Sequence, residues 1–270
     1  MTTLKNNLNQ MKRRSFIRTA AAVAGTTAAI PSLAASAPAS QYGMKELYEL
    51  RVYQLTSGGA RETLKKYLLG AVAPYLNSYG GKVGIFSEYS LQEPPKLYVL
   101  LTFPEPETIL QLHSQMEDNP GYLEKAASYL QSAPDRPLFD RYQSSVLEAF
   151  DAIPRHKTPA PERGLMELRI YESYNEDAGR RKIAMFNKEE LPLFEKIGLN
   201  PLFFGRMLAG THMPALAYML WFRDMANREE AWGKFRNHPD WVAMRDKPEY
   251  ANTVSKVNKI FLLPEAGSQI

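Results

Sequence analysis

Cysteine is absent from this 270-residue chain, and histidine is rare, with four residues. The absence of cysteine excludes disulfide bonds, thiolate metal ligands, cysteine nucleophiles and a lipid-anchored amino terminus. No two histidines have the spacing of metal ligands with a carboxylate nearby, so no metal site is predicted. The sequence also lacks a phosphate-binding loop, a dinucleotide-binding fingerprint and a Gly-x-Ser-x-Gly motif. No motif therefore implies a cofactor.

Acidic residues are missing from residues 1–41, which hold five basic ones: Lys5, Lys12, Arg13, Arg14 and Arg18. The whole chain has 33 basic and 29 acidic residues, for a formal net charge of +4. Subtracting these five leaves 28 basic against 29 acidic residues, a net charge of −1. Because the positive charge belongs to the amino-terminal segment, nucleic acid is not predicted as a partner.

The same segment has the organisation of an export signal. Residues 12–17, Lys-Arg-Arg-Ser-Phe-Ile, resemble the twin-arginine motif, in which Arg13 and Arg14 are the paired arginines. The apolar run of residues 20–33 is too short for a stable anchor, and small residues suited to cleavage follow it. We predict that residues 1–40 are a signal peptide and disordered leader. The mature chain would be periplasmic or extracellular, without a stable membrane anchor. Met1 and Met11 are both candidate starts.

One stretch of sequence occurs twice. Residues 48–53, Tyr-Glu-Leu-Arg-Val-Tyr, return 118 positions later as Met-Glu-Leu-Arg-Ile-Tyr. Pro74, Gly80 and Phe86 return at the same offset as Pro192, Gly198 and Phe204, and one inserted residue then moves the offset to 119. We interpret this agreement as a domain duplication. It divides the chain into a first half (residues 45–150), a Pro-rich linker (151–164) and a second half (165–264).

Each half is predicted as strand, helix, strand, strand, helix, strand. The apolar periodicity changes from two in residues 47–55 to the helical spacing in residues 60–79. Pro74, like Pro192 in the second half, is expected to kink or break the helix, and Gly80 and Gly198 are expected to end the two helices in the left-handed conformation. The β-α-β-β-α-β order is that of a ferredoxin-like α+β unit. We predict two such units, packed sheet to sheet as an intrachain α/β barrel.

Three motifs resemble the NIPSNAP family: Glu-Leu-Arg-x-Tyr in the first strand, Leu-Pro-Leu-Phe-x-x-x-Gly at residues 191–198, and aromatic-x-x-Phe-Arg-x-His-Pro-x-Trp at residues 232–241. The first half departs from the third motif at Asn119 and Tyr122. The resemblance implies a dimeric α/β-barrel fold, in a group that includes small monooxygenases and haem-binding proteins. It brings no established catalytic residues, and it leaves haem or another bound ligand open.

The polar residues of the repeated strand are the candidate site. We expect Leu50 and Val52, with Leu168 and Ile170, to face the helices, which sends the alternate residues into the barrel interior. The candidate catalytic residues are Glu49, Arg51, Glu167 and Arg169, and the candidate ligand-binding residues are Arg51, Tyr53, Arg169 and Tyr171. An arginine could hold an anionic or carbonyl oxygen while a carboxylate moves a proton. The alternative is an ion-pair network that fixes the two sheets, which the presence of the residues in both halves favours.

Two histidines are assigned structural roles by the repeat. His113 aligns with Trp232 and is predicted to be a packing position, and His238 aligns with Asn119 and is predicted to cap a helix or form a turn. The predicted function is that of an exported protein that binds a small, largely apolar molecule, or of a binding or scaffold protein, alone or as a homo-oligomer. The alternative is a cofactor-light, monooxygenase-like oxidoreductase or isomerase acting in the barrel cavity.

Overall fold

The computed structural model describes residues 45–90 and 92–270. The predicted signal peptide, with Arg13 and Arg14, lies outside the described residues. Eight strands are present in this part: β1 (Leu47–Leu55), β2 (Val83–Glu88), β3 (Lys96–Phe103), β4 (Phe139–Ala149), β5 (Leu165–Glu172), β6 (Pro201–Ala209), β7 (Ala215–Phe222) and β8 (Lys256–Pro264).

The strands close into one antiparallel barrel in the order β1-β3-β2-β8-β5-β7-β6-β4. Each half contributes four adjacent strands, and the two four-stranded sheets join edge to edge where β2 pairs with β8 and β4 pairs with β6. Closure gives each of these eight strands a neighbour on both sides, so none of them is an edge strand. The predicted α+β class and intrachain barrel are confirmed.

Within the described ranges, eight α-helices cover the outside of the sheet: α1 (Gly58–Tyr67), α2 (Ala73–Asn77), α3 (Glu107–Asp118), α4 (Pro120–Leu130), α5 (Glu176–Met185), α6 (Leu191–Ile197), α7 (Met225–Asn237) and α8 (Pro239–Arg245). A short 3-10 turn, Pro248–Tyr250, precedes β8. Among the described residues, no helix combines the length and the apolar character needed to cross a bilayer.

The predicted irregularity at Pro74 and Pro192 takes the form of a π-helical turn. Residues 68–72 join α1 to α2 and residues 186–190 join α5 to α6, both with π geometry. A proline has no N–H to donate to the carbonyl four residues earlier, so a wider turn is accommodated there. Gly80 and Gly198 follow with φ values of 78° and 77°, as predicted.

The prolines of the second helical region divide it into two helices in each half. Asn119 separates α3 from α4, and its side chain accepts a hydrogen bond from the Tyr122 N–H at 2.8 Å. His238 separates α7 from α8, and its Nδ1 accepts from the Asp240 N–H at 3.2 Å. Both residues cap the helix that follows, which confirms the structural role predicted for His238.

The inserted residue of the second half forms a bulge in β6, where the register shifts between Pro201 and Phe203. This corrects the equivalence of Phe86 with Phe204. Phe86 lies inside the barrel, whereas Phe204 packs against the helices of the second half. Since side chains alternate along a strand, one extra residue moves those on one side of it to the other face.

The prediction of which strand face points into the barrel is wrong. Leu50, Leu168 and Ile170 pack in the interior, and Val52 packs against the same cluster. The Glu-Arg-Tyr residues lie on the outer face, under the helices. The interior also holds further apolar side chains of these and the other strands, among them Tyr48, Leu100, Leu147, Met166, Leu202, Met219 and Leu262. Both faces of the sheet are therefore covered, and the helices supply polar partners for the charged residues.

Candidate functional site

In the first half, a buried carboxylate is held between β1, β4 and α3. Arg51 donates from Nε to Oε1 of Glu49 at 2.7 Å and from Nη2 to Oε2 at 2.8 Å, because residues two apart on a strand share a face. Ser144 pairs with Arg51 across the sheet, and its hydroxyl donates to Glu49 at 2.7 Å. Nε2 of His113 lies 3.6 Å from Oε2 of Glu49 and 3.5 Å from Nη2 of Arg51.

The second half repeats this arrangement with stronger donors. Glu167, which is fully buried, accepts from Nε of Arg169 at 2.7 Å and from Nε1 of Trp232 at 2.7 Å. A second guanidinium, that of Arg228 on α7, donates from Nε at 2.8 Å and from Nη2 at 3.0 Å. Two cations and an indole thus saturate a single carboxylate. These contacts agree with the hypothesis that the polar residues of the repeated strand form a structural ion-pair network.

His113 and Trp232 occupy equivalent positions. The prediction that His113 serves only for packing overlooks a polar contact that both residues make. Each ring carries a nitrogen that reaches the carboxylate of its own half. Trp232 is buried, whereas the side chain of His113 is 55% exposed. Histidine and tryptophan both carry a ring N–H, and both halves have a glutamate in the repeated strand. This correspondence was the signal in the sequence for a polar contact at position 113.

A cleft of about 300 Å³ lies beside His113, between the outer face of the sheet and the helices of the first half. We call it the first cleft. Arg51, Tyr53 and His113 form its polar side, and the exposed Glu117 also lines it. Its apolar and aromatic lining is made by Tyr67, Val72, Leu101, Leu112, Met116, Tyr122, Leu123, Tyr129, Leu130 and Tyr142. The structure therefore brings Arg51 and Tyr53 together at a cavity, whereas Arg169 of the second half is covered by Trp232.

The equivalent space in the second half is filled by larger side chains. Trp232, Phe235, Trp241, Phe186 and Phe194 take the places of His113, Met116, Tyr122, Leu68 and Leu76. The guanidinium of Arg169 lies 3.8 Å from the centre of the Trp232 ring, which covers it. One chain thus contains the same polar cluster twice, once closed and once open to a cleft.

A buried ion pair adds to the filling of the second half. Lys182 and Glu190, which stand where the first half has Leu64 and Val72, form a direct salt bridge. The ammonium of Lys182 also lies 4.4 Å from the centre of the Phe186 ring. Burial raises the pKa of Glu190, against the opposing effect of Lys182. The pair occupies space between α5 and the sheet that is apolar in the first half.

The Glu49 cluster predicts an acid dependence of stability. Burial alone would raise the pKa of Glu49, but His113, Arg51 and Ser144 together lower it to about 2, from an ordinary value of 4.5. A carboxyl with a depressed pKa stabilises the folded state fully above its unfolded pKa, and that contribution is lost as the pH falls through the folded pKa. We expect stability from this group to decline between pH 4.5 and about 2.

The comparison that tests this uses Glu49→Gln, which removes the titrating group. Urea unfolding at about pH 6 and about pH 3 should show a smaller loss of stability for Glu49→Gln than for the wild type. Glu46 and Glu167 also have lowered pKa values and contribute to the acid sensitivity of both proteins, so the difference between the proteins is the measured quantity. Equal losses of unfolding free energy in the two proteins would contradict the lowered pKa assigned to Glu49.

The other two histidines each contact one carboxylate. Nδ1 of His156 lies 2.9 Å from the buried Glu46, and Nδ1 of His212 lies 3.1 Å from Glu172. Within residues 45–90 and 92–270, no group of three or more His, Cys, Asp or Glu side chains is arranged to hold a metal ion.

The barrel interior is packed with apolar side chains around its middle, and a cavity of about 750 Å³ opens at one mouth. None of the six candidate residues of the repeated strand lines this cavity. The alternative function, catalysis by these residues in the barrel cavity, therefore loses its geometric basis. The candidate site moves to the sheet–helix interface.

Comparison with known proteins finds a family match in the second half and a shared fold. Residues 166–269 match the NIPSNAP family model. This NIPSNAP match covers the half in which the cleft is filled, and the family resemblance of the first half rests on its own motifs. A comparison with curated proteins gave no match.

Three solved structures share the fold. A candidate monooxygenase from Lactobacillus acidophilus is 12% identical with a TM-score of 0.54, over 82% of this chain and 94% of that one. A candidate monooxygenase from Fusobacterium nucleatum is 9% identical with a TM-score of 0.54, over 82% and 93%. An anthrone oxidase-like protein is 7% identical with a TM-score of 0.50, over 82% and 92%. At these identities the similarity concerns the fold alone.

Proposed function

We propose that this protein binds a small, largely apolar aromatic molecule in the first cleft. The observation that carries the proposal is the difference between the two halves of the same chain. The cleft of the second half is closed by five larger side chains, whereas His113, Met116 and Tyr122 leave an opening of about 300 Å³ in the first. A largely apolar cavity with a few convergent polar groups is typical of ligand sites.

The walls of the first cleft suit a flat ring. Tyr67 and Tyr129 are stacked with their ring centres 3.7 Å apart and their planes 8° apart. The hydroxyl of Tyr67 is already hydrogen-bonded to that of Tyr122 at 2.7 Å, so these residues offer mainly ring surface. Burial raises the pKa of Tyr129 to about 12, which keeps its hydroxyl protonated near neutral pH. Aromatic ligands gain from offset or edge contacts with such rings.

The polar side of the cleft suits an oxygen on that ring. Nε and Nη2 of Arg51 are used by Glu49, while Nη1 has, among the described residues, one acceptor at 3.5 Å, the hydroxyl of Tyr53. Nη1 carries two hydrogens, so it keeps a donor for a carbonyl or phenolate oxygen. Glu49 fixes the guanidinium in place, and the half-exposed His113 lies at the same side. Arg51 and Tyr53 are thus the proposed ligand contacts.

Native mass spectrometry and absorbance of the purified protein test the proposal. We expect either a co-purified aromatic compound in a ratio of one per chain, or stoichiometric binding of 2-naphthol as a neutral aromatic probe, with Arg51→Gln weakening it by about tenfold. Arg169→Gln is the matched control, since Arg169 is covered by Trp232 and should leave binding intact. Ligand-free preparations that also fail to bind 2-naphthol would refute the proposal.

Oxidation of the bound molecule is the second candidate function. The names of the two candidate monooxygenases and of the anthrone oxidase-like protein suggest it. The imidazole of His113 lies at the cleft beside the Glu49 carboxylate and could accept a proton from a bound phenol. Incubation of the bound compound with dioxygen, followed by mass spectrometry, separates binding alone from a product that has gained oxygen.

We further propose that the chain is exported through its twin-arginine segment. A fusion of residues 1–41 to a folded reporter should reach the periplasm of a bacterial host that has the twin-arginine pathway. Replacement of both Arg13 and Arg14 by lysine keeps the charge and should abolish export. Lys5→Gln with Arg18→Gln, which removes charge but leaves the pair, is the control. Export of the variant with the paired lysines would contradict the proposal.

A further inference from the structure

The mouth of the barrel carries a second cavity, separate from the first cleft. Its volume is about 750 Å³, and it lies at the end where β1, β2 and β5 finish and β3, β4 and β8 begin. Its deep part is formed by interior side chains, namely Val52, Tyr98, Leu168, Ile170 and Ile260. These residues face inwards, whereas those of the first cleft lie on the outer face of the sheet. The two cavities are therefore independent of each other.

The rim of the cavity is positively charged. Lys96, Arg141 and Lys259 line it from three different strands, and Glu88 is the carboxylate beside them. In the part of the chain that the structure describes, none of the three cations has a carboxylate within 4.0 Å. Cations gathered around an apolar cavity raise the local concentration of anions and attract them into it.

The two carboxylates at this mouth, Glu88 and Glu172, each accept a hydrogen bond from a neighbouring group. A carboxylate oxygen of Glu88 accepts from the backbone N–H of Lys96 at 3.3 Å. Nδ1 of His212, from the β6–β7 turn, lies 3.1 Å from Glu172, which also accepts from Asn258 at 2.8 Å. The side chains that line the cavity thus carry three cations, Lys96, Arg141 and Lys259, against one carboxylate, Glu88, which leaves the rim with a net positive charge.

We propose that the barrel mouth binds an amphiphilic carboxylate, a molecule with an apolar chain and an anionic head. The apolar chain fills the space above Leu168 and Ile170, and the head group meets Lys96, Arg141 and Lys259 at the rim. Burial of the chain supplies most of the affinity, and the rim selects the charge of the head. This site does not depend on the proposed function of the first cleft.

Isothermal titration calorimetry with decanoate tests this proposal. We expect one decanoate per chain, bound more tightly than the neutral 1-decanol and more weakly as salt is added. The triple variant Lys96→Gln, Arg141→Gln, Lys259→Gln should weaken decanoate by about tenfold and leave 1-decanol unchanged. All three side chains are solvent-accessible, so the variant should fold. Lys66→Gln, Lys188→Gln, Arg236→Gln, which removes three exposed cations away from the mouth, is the matched control.

A variant of the first cleft keeps the two sites distinguishable. His113→Trp should leave decanoate binding unchanged, whatever it does to an aromatic ligand. Loss of decanoate binding in that variant would place the carboxylate in the first cleft and overturn the barrel-mouth site. Equal affinities for decanoate and 1-decanol, or an unchanged affinity in the triple rim variant, would also overturn it. Binding of many decanoate molecules per chain would show detergent-like adsorption and would overturn it as well.

Discussion

Replacement of Glu167 by alanine is expected to lower the free energy of unfolding by about 4 kcal/mol, the cost of breaking a buried ion pair from one side. The substitution leaves the guanidinium groups of Arg169 and Arg228, both at least nine-tenths buried, without their shared acceptor. It also removes the acceptor of the Trp232 indole N–H. Urea unfolding gives the free energy directly, and the melting temperature should fall by about 10 °C.

Glu49→Ala is the matched control, because the same position in the first half is less heavily engaged. Among the described residues, Glu49 has one guanidinium partner and one hydroxyl donor, and its third neighbour, His113, is half-exposed at a cleft that water can enter. We expect a loss of about 2 kcal/mol, close to that for an unsatisfied charged hydrogen bond. Equal losses at the two positions would show that the second cluster is no more structural than the first.

A double variant tests whether unpaired buried charge causes the loss of stability in Glu167→Ala. If the cost of Glu167→Ala comes from stranded cations, Glu167→Met combined with Arg228→Met should cost clearly less than the sum of the two single substitutions. An additive result would indicate that lost packing, rather than unpaired charge, destabilises the protein.

The elements of the fold could be predicted because each has a local cause. Alternating apolar residues indicate β1, and the left-handed positions of Gly80 and Gly198 end two helices. The repeat then limited the ways in which the halves could close into a barrel. The edge pairing of β2 with β8 is a long-range contact between the halves, and no local pattern specifies its register.

The face of the repeated strand could not be predicted, because both of its faces are covered. In a sheet with one solvated face, polar residues indicate the solvent side; here Glu49 and Glu167 face helices that supply His113 and Arg228 as partners. Their partners lie at least 61 residues away, which is beyond any periodicity argument. The open cleft was also missed, since alignment of the halves treats smaller side chains as equivalents of larger ones.

Substitution of residues at the first cleft by the larger residues found at the same positions of the second half is expected to abolish aromatic ligand binding without unfolding the protein. The variant His113→Trp, Met116→Phe, Tyr122→Trp places in the first half three of the five aromatic residues that close the second. The neighbours Leu68 and Leu76 are smaller than Phe186 and Phe194, so the added volume enters an existing cavity of about 300 Å³. The indole introduced by His113→Trp can also donate to Glu49, as Trp232 does to Glu167.

The expected magnitudes separate binding from stability. Affinity for 2-naphthol, followed by its fluorescence, should fall by on the order of 100-fold, since a ligand excluded from the cleft loses about 3 kcal/mol of apolar burial. The free energy of unfolding should stay within about 1 kcal/mol of the wild type or rise, as for other cavity-filling substitutions.

The reverse exchange in the second half is the control. Trp232→His with Phe235→Met opens a cavity in a packed core and removes ring contacts to Phe194, so it should destabilise the protein by about 4 kcal/mol. It should leave 2-naphthol binding in the first cleft unchanged, because the two clefts lie under different helices. Two results together would contradict the proposed site: 2-naphthol binding that survives when the first cleft is filled, and binding that changes when the second cleft is opened. The ligand would then bind in the second half, and the difference between the halves would concern packing alone.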